Sequence, residues 1–190
     1  MLTVILTGGA SRRMGCDKAL LETGGSVMSL MLAERFAALG ETVFSVDRPG
    51  RFSCGAFREL TDVFPGKGPL NGLYSAFSKT AEDIVFLTAT DMPCGEPELV
   101  RVMLAAMGKN DICTVCRSGG RYEPLFSLYH RRCFPSVERC LREGKLSFYE
   151  LFRTHPVRML SGEELPGWDL ERILTNVNTP EDYRDYRALP

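Results

Sequence analysis

The chain has almost no net charge: 23 lysines and arginines stand against 24 aspartates and glutamates, a formal −1 at pH 7. A global basic field that would draw it to nucleic acid or an anionic membrane is therefore missing, and any cationic site must be local. Long apolar runs are missing as well, since none approaches the roughly 20 residues of a membrane span. Met1-Leu2-Thr3-Val4-Ile5-Leu6 lacks a basic n-region and a cleavage site. It reads as a strand rather than a signal peptide, and the expected compartment is the cytosol. An even cysteine count is also absent: there are seven, which argues against a disulfide framework in a chain without an export signal. Cys113 and Cys116 have C-x-x-C spacing, but on a strand residues three apart point to opposite faces. No second pair has zinc-ligand spacing, and His130 and His155 stand alone, so a structural zinc is not expected.

What is present is ordinary globular composition, 44% hydrophobic and 25% charged over 190 residues. That length predicts one domain, residues 1–190, with a substantial core. Strand-like and helix-like stretches alternate. Leu2–Leu6, Thr42–Val46, Ile84–Thr88 and Ile112–Cys116 read as strands. Helical spacing runs over Ser26–Leu39, with Gly40 as the stop, over Pro69–Lys79 with proline in the first turn, and over Glu96–Met107 before Gly108. After the turn Ser118-Gly119-Gly120, strands are expected at Leu125–Tyr129 and Val157–Leu160, and helices at Pro135–Glu143 and Phe148–Phe152. Asn176-Val177-Asn178 is read as the end of a strand, before a last helix with Thr179 as N-cap and Pro180 at N1. This alternation predicts an α/β fold with a largely parallel sheet.

In such sheets ligands bind at the carboxyl ends of the strands, and the polar clusters fall there. The first strand runs into Gly8-Gly9-Ala10-Ser11-Arg12-Arg13-Met14-Gly15-Cys16-Asp17-Lys18. Paired glycines allow close backbone approach, and successive N–H groups beside cations make an anion site. The loop is neither a Walker A motif nor a G-x-G-x-x-G fingerprint. Arg12 and Lys18 instead offer separate charges to a polyphosphate, although a surface turn would carry the same residues. Asp47 and Arg48 follow the second strand. Asp62 and Gly66-Lys67-Gly68-Pro69 precede a helix start, an anion-friendly end that a plain turn would also explain. Asp91, in Thr90-Asp91-Met92-Pro93, ends a buried strand and suits Mg²⁺, although a helix-capping aspartate fits too. Arg121, Tyr122 and Glu123 sit beside a turn, facing a second substrate or merely edging a hairpin. Asn176 and Asn178 are either site residues or turn formers.

Together these segments resemble the molybdenum cofactor guanylyltransferases of the nucleotidyltransferase superfamily. The opening motif L-A-G-G-x-S-x-R-M-G-x-D-K reads Leu6 to Lys18 here, with Thr7 for alanine. Gly68-Pro69-Leu70-Asn71-Gly72, Thr90-Asp91-Met92-Pro93 (threonine for cysteine), Glu123 to Tyr129 and Asn176 to Asp182 match the later motifs. The resemblance spans Leu2 to about Asp182. It implies a three-layer α/β/α Rossmann-like domain with a mostly parallel mixed sheet. It also implies transfer of GMP from GTP to the terminal phosphate of Mo-molybdopterin, with Mg²⁺ as cofactor. Leu6, Thr7, Gly8, Lys18, Asp62 and Asp91 then become nucleotide contacts, joined by Gly9 and Gly68. Asp91 is the metal ligand, with Asn178 as a candidate second one. Arg12, Lys18 and Asp91 carry catalysis, and Arg121, Tyr122 and Glu123 stand on the acceptor side. The family's asparagine after the second strand is replaced by Ser45-Val46-Asp47, which carries that contact weakly. Implied partners are other cofactor-biosynthesis proteins and molybdoenzyme chaperones, not nucleic acid or membrane. A transferase using CTP on molybdopterin, or an NTP on a sugar phosphate, would share these residues. So would a nucleotide-binding regulator, although a pure binder need not keep Arg12, Lys18 and Asp91.

Overall fold

The computed structural model describes residues 1–7, 22–23, 26–51 and 57–188, with residues 22, 23 and 26 described by backbone alone. Strand β1 (Leu2–Leu6) is buried at every position. Leu2, Val4 and Leu6 pack into one hydrophobic layer and Ile5 into the other. A strand covered on both faces must be apolar at both parities, and hence this one reads as a continuous run.

The remaining elements, in chain order, are β2 (Glu22–Thr23), β3 (Ser26–Val27), α1 (Met28–Phe36), β4 (Glu41–Val46), β5 (Arg58–Thr61), α2 (Pro69–Lys79) and β6 (Ile84–Ala89). Then come α3 (Pro97–Ala106), β7 (Cys113–Ser118), β8 (Arg121–His130), α4 (Phe134–Arg142), α5 (Tyr149–Thr154), β9 (Val157–Ser161), α6 (Leu170–Ile173) and α7 (Pro180–Arg187). Among the described residues, seven strands form one sheet in the order β5-β4-β1-β6-β8-β7-β9. β8 runs antiparallel to both neighbours, and every other pairing is parallel. Helices α2, α4 and α5 cover one face through Leu70, Leu73, Phe77, Val137 and Leu151. Helices α1, α3 and α6 cover the other through Leu32, Phe36, Leu99, Met103 and Ile173. The result is the expected three-layer α/β fold with a mixed, mostly parallel sheet.

The chain adds β4 and β5 outward from one side of β1, then α2 returns it to lay β6 on the other side. Strand order therefore reverses between β1 and β6, the position where open α/β sheets bind ligands. Gly72 lets α2 sit close to that point. A Cβ there would clash with Leu6 Cδ2 and meet Ser45 Oγ at 3.1 Å.

Helix α2 has the expected bounds, with Pro69 at N1. Three other expectations are corrected. Asn176–Asn178 does not end a strand: Val177 donates its N–H to the Asp91 carbonyl rather than to a sheet neighbour, and the segment is an extended strap preceded by α6. The helix expected from Ser26 begins at Met28, because Ser26 and Val27 pair with β2, and it tightens into a 3-10 turn over Ala37–Leu39. Strand β8 is twice as long as expected, because Arg121 and Tyr122 resume pairing with β7 after an irregular stretch. Cys113 packs in the α2 layer and Cys116 in the α1 layer, where burial pushes the Cys116 thiol up to about 12.

Arg131, at the exit of β8, ties three segments together. Its guanidinium donates to the carbonyls of Phe77, Thr80 and Glu82 and lies 5.2 Å from the Phe77 ring centroid. A lysine cannot reproduce that planar fork. R131K is expected to destabilise the chain by about 1–3 kcal/mol in urea unfolding. G72A is expected to lose about 1–3 kcal/mol by overpacking against Leu6, read in the same experiment.

Candidate active site

The carboxyl ends of β1, β4, β5 and β6 lie along one edge, and each contributes a polar group. At β1, Leu6 accepts from Thr90 N–H at 3.1 Å through its carbonyl. Thr7 is buried, and both its hydroxyl (2.6 Å) and its N–H (3.2 Å) donate to the Ser45 carbonyl. Thr7 in place of alanine thus adds a bond between the ends of β1 and β4. Gly8, Gly9, Arg12 and Lys18 lie beyond this point, outside the described residues.

At the end of β5, Asp62 is held by two neighbours. Its N–H donates to the Val46 carbonyl at 2.8 Å, and its Oδ1 accepts from Ser45 Oγ at 2.9 Å. Burial pushes the Asp62 carboxyl above its ordinary value, and the Ser45 bond offsets only part of this. Asn71 Oδ1 and Ser75 Oγ accept from the Phe64 and Val63 N–H groups, fixing the turn after Asp62. Gly68 opens α2 at φ +70°, where a side chain would be strained.

Asp47 turns away from this cluster. It pairs with Arg51 at 3.0 Å on the exposed rim; burial raises its carboxyl, and Arg51, together with its own backbone and the Arg48 charge, turns that into a net lowering. The residue that enters the site from β4 is instead Ser45. The sequence reading carried the contact after the second strand only weakly onto Ser45-Val46-Asp47 and treated Asn71 only as part of a motif. The available signal was a small polar residue inside the buried run Thr42–Val46.

Asp91 follows β6, partly buried, beside the β1 end. Its carbonyl accepts from Val177 N–H at 2.7 Å, so the C-terminal strap lies against it. The strap's other end is anchored by a capping box: Asn178 and Thr179 donate their N–H groups to Asp182 Oδ2, and Thr179 Oγ1 accepts from Asp182 N–H. Glu123 approaches from β8. Ladder pairing of β8 with β6 ends at Leu87–Ser127, and with β7 it jumps from Val115–Ser127 to Arg117–Tyr122. Residues 123–126 therefore bulge, as strands often do where a side chain is re-aimed. Burial raises the Glu123 carboxyl; Leu125 N–H and the Asn176 side chain pull it back, and the Asp91 charge pushes it up again. Of the three residues expected on the acceptor side, Glu123 alone is near enough to feel the Asp91 charge. Tyr122 packs with Tyr149 and Phe152 under the Arg117 guanidinium, and Arg121 is exposed in the hairpin.

Residues 3–159 match the model of the MobA-like NTP transferase domain. The chain belongs to that family. MobA-like NTP transferases are nucleotidyltransferases, and this chain is one. It is 37% identical to a probable molybdenum cofactor guanylyltransferase of Pelotomaculum thermopropionicum, over 98% of this chain and 91% of that protein. It is 33% identical to one from Carboxydothermus hydrogenoformans, over 96% and 93%. Its fold superposes on molybdopterin-guanine dinucleotide biosynthesis protein A from Archaeoglobus fulgidus with a TM-score of 0.83, at 22% identity over 98% and 97% of the two chains. CMP:2-keto-3-deoxy-manno-octonic acid synthetase shares the fold at a TM-score of 0.72 and 16% identity, over 98% of this chain and 95% of that one.

The position of Asp62 in this MobA-like domain predicts a stability effect. A carboxyl raised on folding binds its proton more tightly in the native state, so its stabilising contribution is full below the unfolded value of 3.8 and is lost as pH rises through the raised value. D62N removes that handicap. It is expected to raise Tm at pH 7 by on the order of 1 °C, and the gain should shrink as pH falls below 4 in calorimetric scans.

Proposed function

We propose that the protein, acting as one unit over residues 1–190, transfers GMP from GTP to the terminal phosphate of Mo-molybdopterin and releases pyrophosphate. The observation that carries this reading is the meeting, at the reversal of strand order, of the β1 end that leads into Gly8–Lys18 with Asp91 at the end of β6. The guanylyltransferase names of relatives over nearly the whole chain supply the substrates.

The residues around Asp91 suit Mg²⁺. Among the described residues no three histidine, cysteine or carboxylate side chains group as a metal centre. Mg²⁺ characteristically needs only one or two protein carboxylates, because substrate phosphates and waters complete its shell. Asp91 offers a carboxylate, and Asn178, next to the strap residue bonded to Asp91, offers a carboxamide oxygen. Bound there, Mg²⁺ would supply charge neutralisation for the phosphates. The chain's own residues do the rest by positioning. Gly8 and Gly9 present N–H groups to the phosphates, and Arg12 and Lys18 balance charge at the α-phosphate and on departing pyrophosphate. Asp62, held by Ser45, and Gly68 at the start of α2 form the nucleotide wall.

In the reaction an acceptor phosphate oxygen bonds to the α-phosphorus while the bond to the bridging α–β oxygen breaks. A phosphate monoester with a second pKa of about 6 is already ionised near neutrality, so no general base is required. Catalysis then rests on alignment and electrostatics. Among the described residues, no helix is long and apolar enough to cross a membrane. The proposed setting is the cytosol, where other cofactor-biosynthesis proteins supply the acceptor and molybdoenzyme chaperones receive the product.

The test is pyrophosphate release from a panel of four nucleoside triphosphates, with and without Mo-molybdopterin. Release with GTP only when the pterin is present is expected. Release with CTP would move the chain to cytidylyl transfer, and nucleotide binding without turnover would make it a regulator. D91A is expected to lower kcat by about 100-fold or more while circular dichroism and Tm stay near the parent values. A folded D91A variant with full activity would remove Asp91 from the mechanism.

A further inference from the structure

A cavity of about 290 Å³ lies between α5 and the far end of the sheet. Tyr149 and Phe152 line it from α5, Tyr122 from β8, Val115 from β7 and Met159 from β9. The centroids of the three rings are 5.9–6.2 Å apart and their planes are inclined by 52–85°. No ring therefore lies flat on another. Tyr149 is 49% exposed and Met159 45%. Large apolar side chains left half in water around one concavity are the usual lining of a site for a flat apolar ligand. The guanidinium of Arg117 stands 5.9 Å from the Tyr122 ring centroid, and among the described residues no carboxylate pairs with it. Arg153, at the rim, is balanced by Glu150 at 2.9 Å. The cavity thus combines aromatic surface with one uncompensated positive charge.

The sheet register ties this cavity to Asp91. Leu87, Ser127, Val115 and Met159 form one row across β6, β8, β7 and β9. Strands β6 and β7 both run antiparallel to β8, so their carboxyl ends lie at the same edge. Counted along the strands from that row, Arg117 is level with Ala89, the last residue of β6, and Asp91 lies two residues beyond. Two strand spacings, about 10 Å, separate β6 from β7. Ser45 and Asp62 lie in the opposite direction, because β4 and β5 stand on the other side of β6 in the strand order. The cavity therefore flanks Asp91 on the side away from the nucleotide wall. In-line displacement needs the attacking and leaving oxygens on opposite sides of the phosphorus, and an acceptor approaching from β7 meets that need. Ligand pockets run from roughly 300 to 1,000 Å³, so this one has room for a single fused-ring system and not for a nucleoside triphosphate.

We propose that the cavity between α5, β7 and β9 is the subsite for the fused heteroaromatic ring of the acceptor, stacked on Tyr149, with the acceptor's phosphate arm reaching along the carboxyl edge of the sheet to Asp91. The identity of that ring as a pterin rests on the proposed guanylyl transfer, whereas the aromatic subsite rests on the cavity and its register with β6. Stacking holds a flat ring without demanding a matched set of hydrogen bonds, and Arg117 draws an anionic acceptor to the cavity.

The experiment follows binding of pterin-6-carboxylate, a flat anionic ring without a phosphate arm, through its fluorescence in the full chain and in Y149A, Y149F and M159D. GTP binding by calorimetry and steady-state pyrophosphate release are measured beside it. Both positions are half exposed, so the fold tolerates the changes. The parent is expected to bind the ring saturably, and Y149A to bind it about tenfold more weakly. Y149F keeps the ring and gives up only a 3.5 Å contact of the hydroxyl with the Tyr122 carbonyl, and it is expected to stay within about twofold of the parent. M159D puts a carboxylate at the mouth and is expected to weaken binding about tenfold. GTP affinity is expected to stay within about twofold throughout, since the nucleotide lies on the other side of Asp91. In turnover, Y149A is expected to raise the KM for Mo-molybdopterin about tenfold with kcat nearly unchanged. A parent that does not bind the ring would overturn the proposal, as would Y149A and M159D variants that bind it as well as the parent. A Y149A variant that loses GTP affinity would also overturn it, by giving the cavity to the nucleotide. A chain that binds the ring through Tyr149 yet releases no pyrophosphate with GTP and Mo-molybdopterin would instead overturn the proposed function and leave the subsite standing.

Discussion

The architecture depends on the parallel pairing of β1 with two neighbours at once. Leu6 stands opposite Ser45 on one side and Ala89 on the other, and just beyond it Thr7 and Thr90 complete the bonds. With both edges of β1 occupied, the segments leaving β1 and β6 begin side by side at one edge of the sheet. Helix α1, after β1, covers one face, and α2, which leads into β6, covers the other. Strand order reverses at this point, and the floor of the site there is the buried end of β1. Loops that begin at such a floor inherit its position, which suits chemistry that works by alignment.

The two halves of the candidate site are built by different devices. On the β4–β5 side, small polar residues do the holding. Ser45 supports Asp62, Ser75 and Asn71 catch the next two N–H groups, and Gly72 lets α2 press against Leu6 and Ser45. Burial of the Asp62 carboxylate is unfavourable for stability, which is the trade expected of a functional carboxyl kept partly out of water. On the β6–β8 side the sheet itself is broken. The bulge at 123–126 ends the β6–β8 ladder at Leu87, and Glu123 and the Asn176–Asn178 strap occupy the space beside Asp91.

Much of this was legible before any coordinates. Helix α2 could be read to the residue from proline at its start and the apolar spacing behind it, and Thr179-Pro180 announced the last helix. Other elements carried no local signal. Helix α6 has four residues, too few to show a helical period, and β2 and β3 have two each. Asn176-Val177-Asn178 has a strand's alternation yet is not in the sheet, because its central N–H finds the Asp91 carbonyl first. Asp47 had a site residue's place in the sequence, but Arg51, four residues on, draws it to the rim.

The sequence by itself determined the α/β class, the strands that lie in the buried centre and the set of residues at their carboxyl ends. Strand burial and helical period are local properties written in residue type and spacing. Only the tertiary structure decided which of those residues meet. The bulge in β8 arises because two neighbouring strands lose their ladders over the same four residues. The strap arises because a backbone N–H more than eighty positions away bonds Asp91. Both are set by hydrogen bonds between segments far apart in the chain, and no pattern within either segment specifies its partner.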